Sequence, residues 1–195
     1  MQKNIGYFQT KDELINWLTL ISIDLNQWNT GYAKSVDHLY EEIEKGESSI
    51  QLEPPLRIVK VVQVLVTQED QILIELEQEL DDKRKRNRNI PPGEKMKPGE
   101  DCLVAAKRCL LEELGVDQNN VVLNMQECKV NIRYRKSRSY PGLRTKYIIF
   151  RVYAQVKGLS QNPFWTVEKT IKDDVEIVRR FCWGWGNLKK IKLPE

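Results

Sequence analysis

Histidine and cysteine are scarce in this chain of 195 residues, with one of the first and four of the second, and what is missing narrows the classes of function. Cys102, Cys109, Cys128 and Cys182 show neither the paired spacing of a zinc site nor the density of a secreted disulfide scaffold, so they are expected to be reduced and mostly buried. No run approaches the roughly 20 consecutive apolar residues of a membrane span. The start, MQKNIGYFQTKDELINW, lacks a basic stretch followed by an apolar signal core. These absences predict a cytoplasmic protein with no membrane partner. Internal repeats and low-complexity tracts are also missing. What remains is 41% hydrophobic and 30% charged, ordinary globular composition at a length that supports one sizeable core, or one domain plus a short appendage.

A more local absence is more informative. Between Cys128 and Val167 there is no Asp or Glu, while Lys129, Arg133, Arg135, Lys136, Arg138, Arg144, Lys146, Arg151 and Lys157 all fall in that span. Residues 1–50 run the other way, with eight acids against four lysines, a balance of −4. The net charge of +3 conceals this segregation, and the basic stretch points to a polyanionic partner.

Periodicity organises the rest. Leu14, Trp17, Leu18, Ile21 and Leu25 recur at helical spacing, and a second short helix fits Ser35 to Lys45, with Ser35 as N-cap and Gly46 at the stop position. The apolar stripe most simply packs on the body of the protein, with a homodimer contact or a docking surface as alternatives. His38 inside the second helix reads as a solvated or packed side chain rather than a ligand. Pro54-Pro55 then breaks the chain. The reading is a helical N-terminal extension over residues 1–53 and a main domain over 54–195. The β-branched run from Ile58 to Val66 predicts a strand, and Ile72 to Leu80 a second whose other face, Leu73, Glu75 and Glu77, is wetter. Val121–Leu123, Val130–Tyr134 and Tyr147–Val156 read as further strands. Asp81 to Asn89, with its basic run 83–88, reads as a charged hairpin connection. Thr166 to Arg180 fits either a helix or a loop into a last strand. Trp165, Trp183 and Trp185 are assigned to packing ahead of base stacking.

Residues 91–116, PPGEKMKPGEDCLVAAKRCLLEELGV, carry the chemistry. Pro98-Gly99-Glu100-Asp101 is an acidic turn able to start and cap a helix that runs to Gly115. Leu103, Ala106, Leu110 and Leu114 face a core at helical spacing, which sets Arg108, Cys109, Glu112 and Glu113 on the other side. Clustered carboxylates suit a hard cation, Mg2+ or Mn2+, with waters and phosphates completing its shell.

This segment resembles the Nudix box: Gly, five residues, Glu, seven residues, Arg-Glu, an aliphatic residue, any residue, Glu-Glu, any residue, Gly, aliphatic. Glu100, Arg108, Leu110, Glu112, Glu113, Gly115 and Val116 fall in register. Two positions depart from it. The opening Gly is Glu94, with Gly93 one residue earlier, and the Glu after Arg108 is Cys109, a soft ligand with little affinity for magnesium. The resemblance covers roughly residues 56–185 and implies a Nudix-like α/β/α sandwich with a mixed sheet. It implies that Glu112 and Glu113 hold Mg2+ or Mn2+, that Glu100 supports the cation or a bound water, and that Arg108 orients the glutamates. Glu127, Glu168, Asp173, Asp174 and Glu176 are candidates for a supplementary carboxylate. The implied reaction is hydrolysis of a nucleoside diphosphate-linked or other phosphoanhydride. The Cys109 position motivates the alternative of a catalytically impaired nucleotide-binding or sensing module. Arg133 and Arg135 on one strand face, with Arg144 and Lys146 returning after the Pro141-Gly142 turn, are expected to form a cationic substrate-binding rim. An RNA-associated protein is a third reading, without a recognisable RNA motif to carry it.

Overall fold

The two halves of the chain's charge pattern correspond to different kinds of local order, helices in the acidic start and long strands beyond it. The computed structural model describes residues 4–80, 83–167 and 178–187, with the side chains of 125–127 and 178 left aside. In chain order the elements are β1 (Ile5–Gly6), α1 (Lys11–Leu20), α2 (Val36–Glu44), β2 (Ser49–Gln51), β3 (Leu56–Gln68), β4 (Gln71–Leu80), β5 (Lys85–Arg86), β6 (Gly93–Lys95), α3 (Cys102–Leu114), β7 (Val121–Lys136), β8 (Arg144–Val156), β9 (Phe164–Thr166) and β10 (Val178–Asn187). Where two short strands were expected over 121–134, the structure has the single strand β7. The hairpin connection after β4 contains β5, paired back onto β4. Among the described residues the last strand is β10, and the rest of the helix-or-loop question over 166–180 lies outside them. No helix among the described residues is long and apolar enough to cross a membrane.

The chain divides into two compact units, one of residues 1–61, 95–99 and 132–149, the other of 62–94, 100–131 and 150–195. In the first, α1 starts at Thr10, whose hydroxyl accepts from the Glu13 N–H at 3.3 Å, with Asp12 and Glu13 placed favourably in the first turn. α2 is capped by Ser35, and His38 supplies the reciprocal half of a capping box, its Nδ1 accepting from the Ser35 N–H at 3.4 Å. That is the packed role for His38, in a position usually held by Glu or Gln. The core of this unit gathers Leu14, Leu18, Trp28, Leu39, Ile50, Tyr140 and Leu143, with Trp17, Ile21 and Leu25 packed against it. The N-terminal stripe is therefore covered within the unit, and the turn residues Tyr140 and Leu143 help to cover it. Trp28 Nε1 donates to the Pro141 carbonyl at 2.9 Å. Each such fully buried Leu or Ile stabilises by roughly 1.5–3 kcal/mol.

In the second unit β3 turns into β4 with Thr67 opposite Ile72, and β4 pairs antiparallel with β10, which pairs with β9. Ile72, Ile74 and Leu65 form a core on one sheet face, with Leu76 and Tyr153 against it. The opposite face of β4 is not the wet one expected. Leu73 is fully buried and Glu75 is 3% exposed. A register shift explains part of this: β10 places Phe181 opposite Gln78 and Trp183 opposite Glu75, passing over Leu76. The bulge brings Gln78 and Glu75, three residues apart, to the same face as Phe181 and Trp183. Of the tryptophans assigned to packing, Trp183 is buried beside Phe181, Trp185 is half-buried and Trp165 is exposed.

Candidate active site

The box helix α3 begins as its sequence demands. Asp101 is the N-cap, accepting from the Leu103 N–H at 2.8 Å, and Gly115 closes the helix in the left-handed conformation at φ 68°. Just before it, Gly99 takes φ +71° with open space around its missing Cβ. Gly93, one residue before the position of the box Gly, lies in β6 without a positive φ, and a Cβ there would sit 3.1 Å from the Val62 carbonyl oxygen. Close approach is its role, and the left-handed turn falls to Gly99.

The buried face of α3 is wider than periodicity indicated. Ala106, Leu110 and Leu114 are buried as expected, but so are Ala105, Cys109 and Glu113, a second line at four-residue spacing, while Leu103 is only half-buried. Cys109 is 0% exposed, so the position where the box would carry a carboxylate faces the protein interior. None of the four cysteines is in a disulfide.

Arg108 organises the carboxylates. Its Nε and Nη2 donate to Glu100 Oε1 and Oε2, both at 2.9 Å, and its Nη1 donates to Glu112 Oε2 at 3.0 Å. The bidentate fork on Glu100 and the single contact one helical turn ahead hold loop and helix together. The hydrogen bond to Glu100 raises the Arg108 pKa further, with the Glu112, Glu100 and Glu94 charges adding to it against the cost of burial. Glu113 is 8% exposed. Its carbonyl accepts from Thr166 Oγ1 at 2.6 Å, and Thr166 in turn accepts from Trp183 Nε1 at 2.8 Å. This chain ties the end of α3 to β9 and β10. Thr166 was missed by sequence reasoning, because one threonine carries no spacing signal.

The donor set suits a divalent cation in kind. Glu100, Glu112 and Glu113 offer only hard oxygen, and Mg2+ keeps several waters and needs only one or two protein carboxylates. Among the described residues no group of three or more His, Cys, Asp or Glu side chains is gathered closely enough to hold a metal ion. The supplementary carboxylates Glu168, Asp173, Asp174 and Glu176 and the Glu127 side chain lie outside the described residues.

The expected rim residues belong to the first unit. Arg144 and Lys146 lie 5.2 and 5.8 Å from the centroid of the Tyr134 ring, on Tyr134's side of the strand pair. Strand alternation turns Arg133 and Arg135 to the other face. In the second unit the basic run is bound to β4: Lys85 pairs with Glu77 at 2.9 Å and Arg88 with Glu75 at 3.4 Å. Trp165 is 40% exposed, with the Arg180 guanidinium 4.3 Å from its ring centroid.

A box held by Arg108 on a capped helix, on a sheet-dominated unit, defines a family. The NUDIX domain profile matches residues 57–186, and the chain belongs to the Nudix family. Among solved structures, a NUDIX hydrolase from Nitrosomonas europaea is 24% identical over 68% of this chain and 74% of its own, with a TM-score of 0.38. An Ap4A hydrolase from C. elegans, solved as a binary complex, is 16% identical over 66% of this chain and 80% of its own, with a TM-score of 0.31. A comparison with curated proteins gives no match.

Proposed function

We propose that this protein is a divalent-metal-dependent hydrolase of a phosphoanhydride, with a nucleoside diphosphate-linked substrate, built on a Nudix α/β/α sandwich. The observation that carries the reading is the Glu100–Arg108–Glu112 ion triad, with contacts of 2.9 to 3.0 Å. It pins two carboxylates of the box although Cys109 replaces a third. Glu112, with Glu113 and Glu100, would hold Mg2+ or Mn2+. When bound, such an ion lowers the pKa of a water and offsets charge developing on the phosphoryl oxygens. Arg108 fixes the rotamers of Glu100 and Glu112, so those carboxylates need no reordering when the substrate arrives. The Thr166 hydroxyl anchors the carbonyl of Glu113 and with it the last turn of α3.

A second reading, a nucleotide-binding module with little turnover, is favoured by the burial of Cys109. The variant Cys109→Glu tests whether this face of α3 can hold the metal. Placing a carboxylate at a fully buried position costs several kcal/mol unless it is compensated. In the hydrolase, Cys109→Glu is expected to melt lower than wild type in a chelator, to recover in Mn2+, and to gain phosphate release. A variant that melts low with and without Mn2+, and releases nothing, rejects a metal site at this helix face.

A further inference from the structure

The hairpin of β7 and β8 carries a surface that the box does not use. Between Ile132 and Ile149, the part of it that belongs to the first unit, stand six basic residues and no acid. Tyr134 is 49% exposed and Ile132 51%, and alternation along β7 puts both on one face with Lys136, itself exposed. From β8 the Arg144 guanidinium lies 5.2 Å and the Lys146 ammonium 5.8 Å from the centroid of the Tyr134 ring. Arg144 is exposed, whereas Lys146 is largely buried, so its ammonium is held beside the ring by a covered stem. Three cations and a half-exposed ring are thus gathered on one face.

The chain supplies them with no local counter-charge. No Asp or Glu falls between Cys128 and Val167, and among the described residues Lys136, Arg144 and Lys146 form no ion pair. The carboxylates of α2 pair elsewhere, Asp37 with Lys11, Glu41 with Lys45 and Glu42 with Arg57. Like charges held together repel, and a polyanion relieves that repulsion. The apolar share of the face narrows the class of polyanion. A flat ring beside an aliphatic side chain suits an unpaired base, which a duplex keeps inside its stack. Membrane insertion would call for an apolar tip, and the turn residues Tyr140 and Leu143 are buried in the unit's own core.

We propose that this face binds single-stranded nucleic acid, with Lys136, Arg144 and Lys146 against phosphates and Tyr134 against a base. It is an interaction surface beyond the box, and it requires neither metal nor hydrolysis. Binding of this kind tolerates any sequence, because every base has a flat face. It depends strongly on salt, because each phosphate contact releases a counterion.

The test is fluorescence anisotropy of a labelled single strand of about 12 nucleotides, titrated with the full chain in chelator at salt concentrations from about 50 to about 200 mM. Wild type is expected to bind, with log K falling against log salt at a slope of about −2, the value for three phosphates on a single strand. Lys136→Gln and Arg144→Gln together should bring the slope to about −0.7. Tyr134→Ala should weaken binding about tenfold at an unchanged slope, and Tyr134→Phe should not. All three positions are exposed, so these variants are expected to melt as wild type does. No binding by wild type, a slope near zero, or variants that bind as wild type does overturns the proposal. So does equal competition by a duplex of the same sequence, by polyglutamate or by phosphatidylserine vesicles, which would assign the face to another partner.

Discussion

Replacing Glu42 by alanine is expected to lower the stability of the first unit by about 3–5 kcal/mol, the cost of stranding a buried charge, and the melting temperature by roughly 10 °C. The Glu42 side chain is 8% exposed and stands at the centre of a network. Its Oε2 accepts from Arg57 and, at 2.8 Å, from Ser48 Oγ, while Arg57 Nε donates to Ser48 at 3.0 Å. Lys95 reaches Glu42 Oε1 at 2.8 Å and Glu47 at 3.1 Å, with Lys34 at 3.5 Å. Arg57 also stacks 4.9 Å from the centroid of the Tyr140 ring, in the core. Alanine leaves Arg57, itself 4% exposed, without its carboxylate. Burial alone would push the Glu42 carboxyl up, but the charges and hydrogen bonds of Arg57 and Lys95 outweigh it and hold the group well below the usual carboxylate range. A carboxyl depressed in the folded state contributes stability above its unfolded value of about 4.3 and loses it as pH falls toward the folded value. Wild type is therefore expected to lose stability steeply below about pH 4, and Glu42→Gln to show a flatter acid limb. Chemical denaturation at several pH values measures both. A Glu42→Ala variant within about 1 kcal/mol of wild type would contradict the network's role.

Arg108→Ala is expected to cut phosphate release about 10- to 100-fold, the usual effect of removing a group that orients metal-binding side chains. Stability should also fall by about 3 kcal/mol, because Glu100, whose side chain is 8% exposed, loses both 2.9 Å hydrogen bonds from the guanidinium. Lysine in place of Arg108 retains the charge and not the fork, so it should recover stability more than activity. Comparing kcat/KM and melting temperature for the alanine and lysine variants separates orientation from simple charge. Equal recovery of both by lysine would show that the geometry of the fork is unimportant.

The box was legible because its information is local. Caps, spacing and the Arg108–Glu112 pair lie within one helix and the loop before it, and the Asp101 cap and Gly115 stop follow from residue type alone. The side of α3 that carries Ala106, Leu110 and Leu114 was legible, and the full width of its buried face was not. Cys109 and Glu113 are covered by chain that sequence spacing does not position. Glu75 looked like the wet half of an alternating strand, and a bulge at Leu76, visible only in the pairing of β4 with β10, sets it beside Gln78 in the interior. Glu42 was one of eight acids in an acidic start, since its partners Arg57 and Lys95 come from 15 and 53 residues away. Short-range spacing identifies helices and motifs, and long-range pairing decides which polar groups are buried.

Metal-dependent hydrolysis is measured by phosphate or nucleotide release from a panel of nucleoside diphosphate derivatives, in Mg2+, in Mn2+ and in chelator, by wild type and Glu112→Gln. Release is expected to require metal and to be lost in the variant. Release that persists in chelator, or that Glu112→Gln leaves unchanged, or its absence from every substrate in either metal, would contradict it.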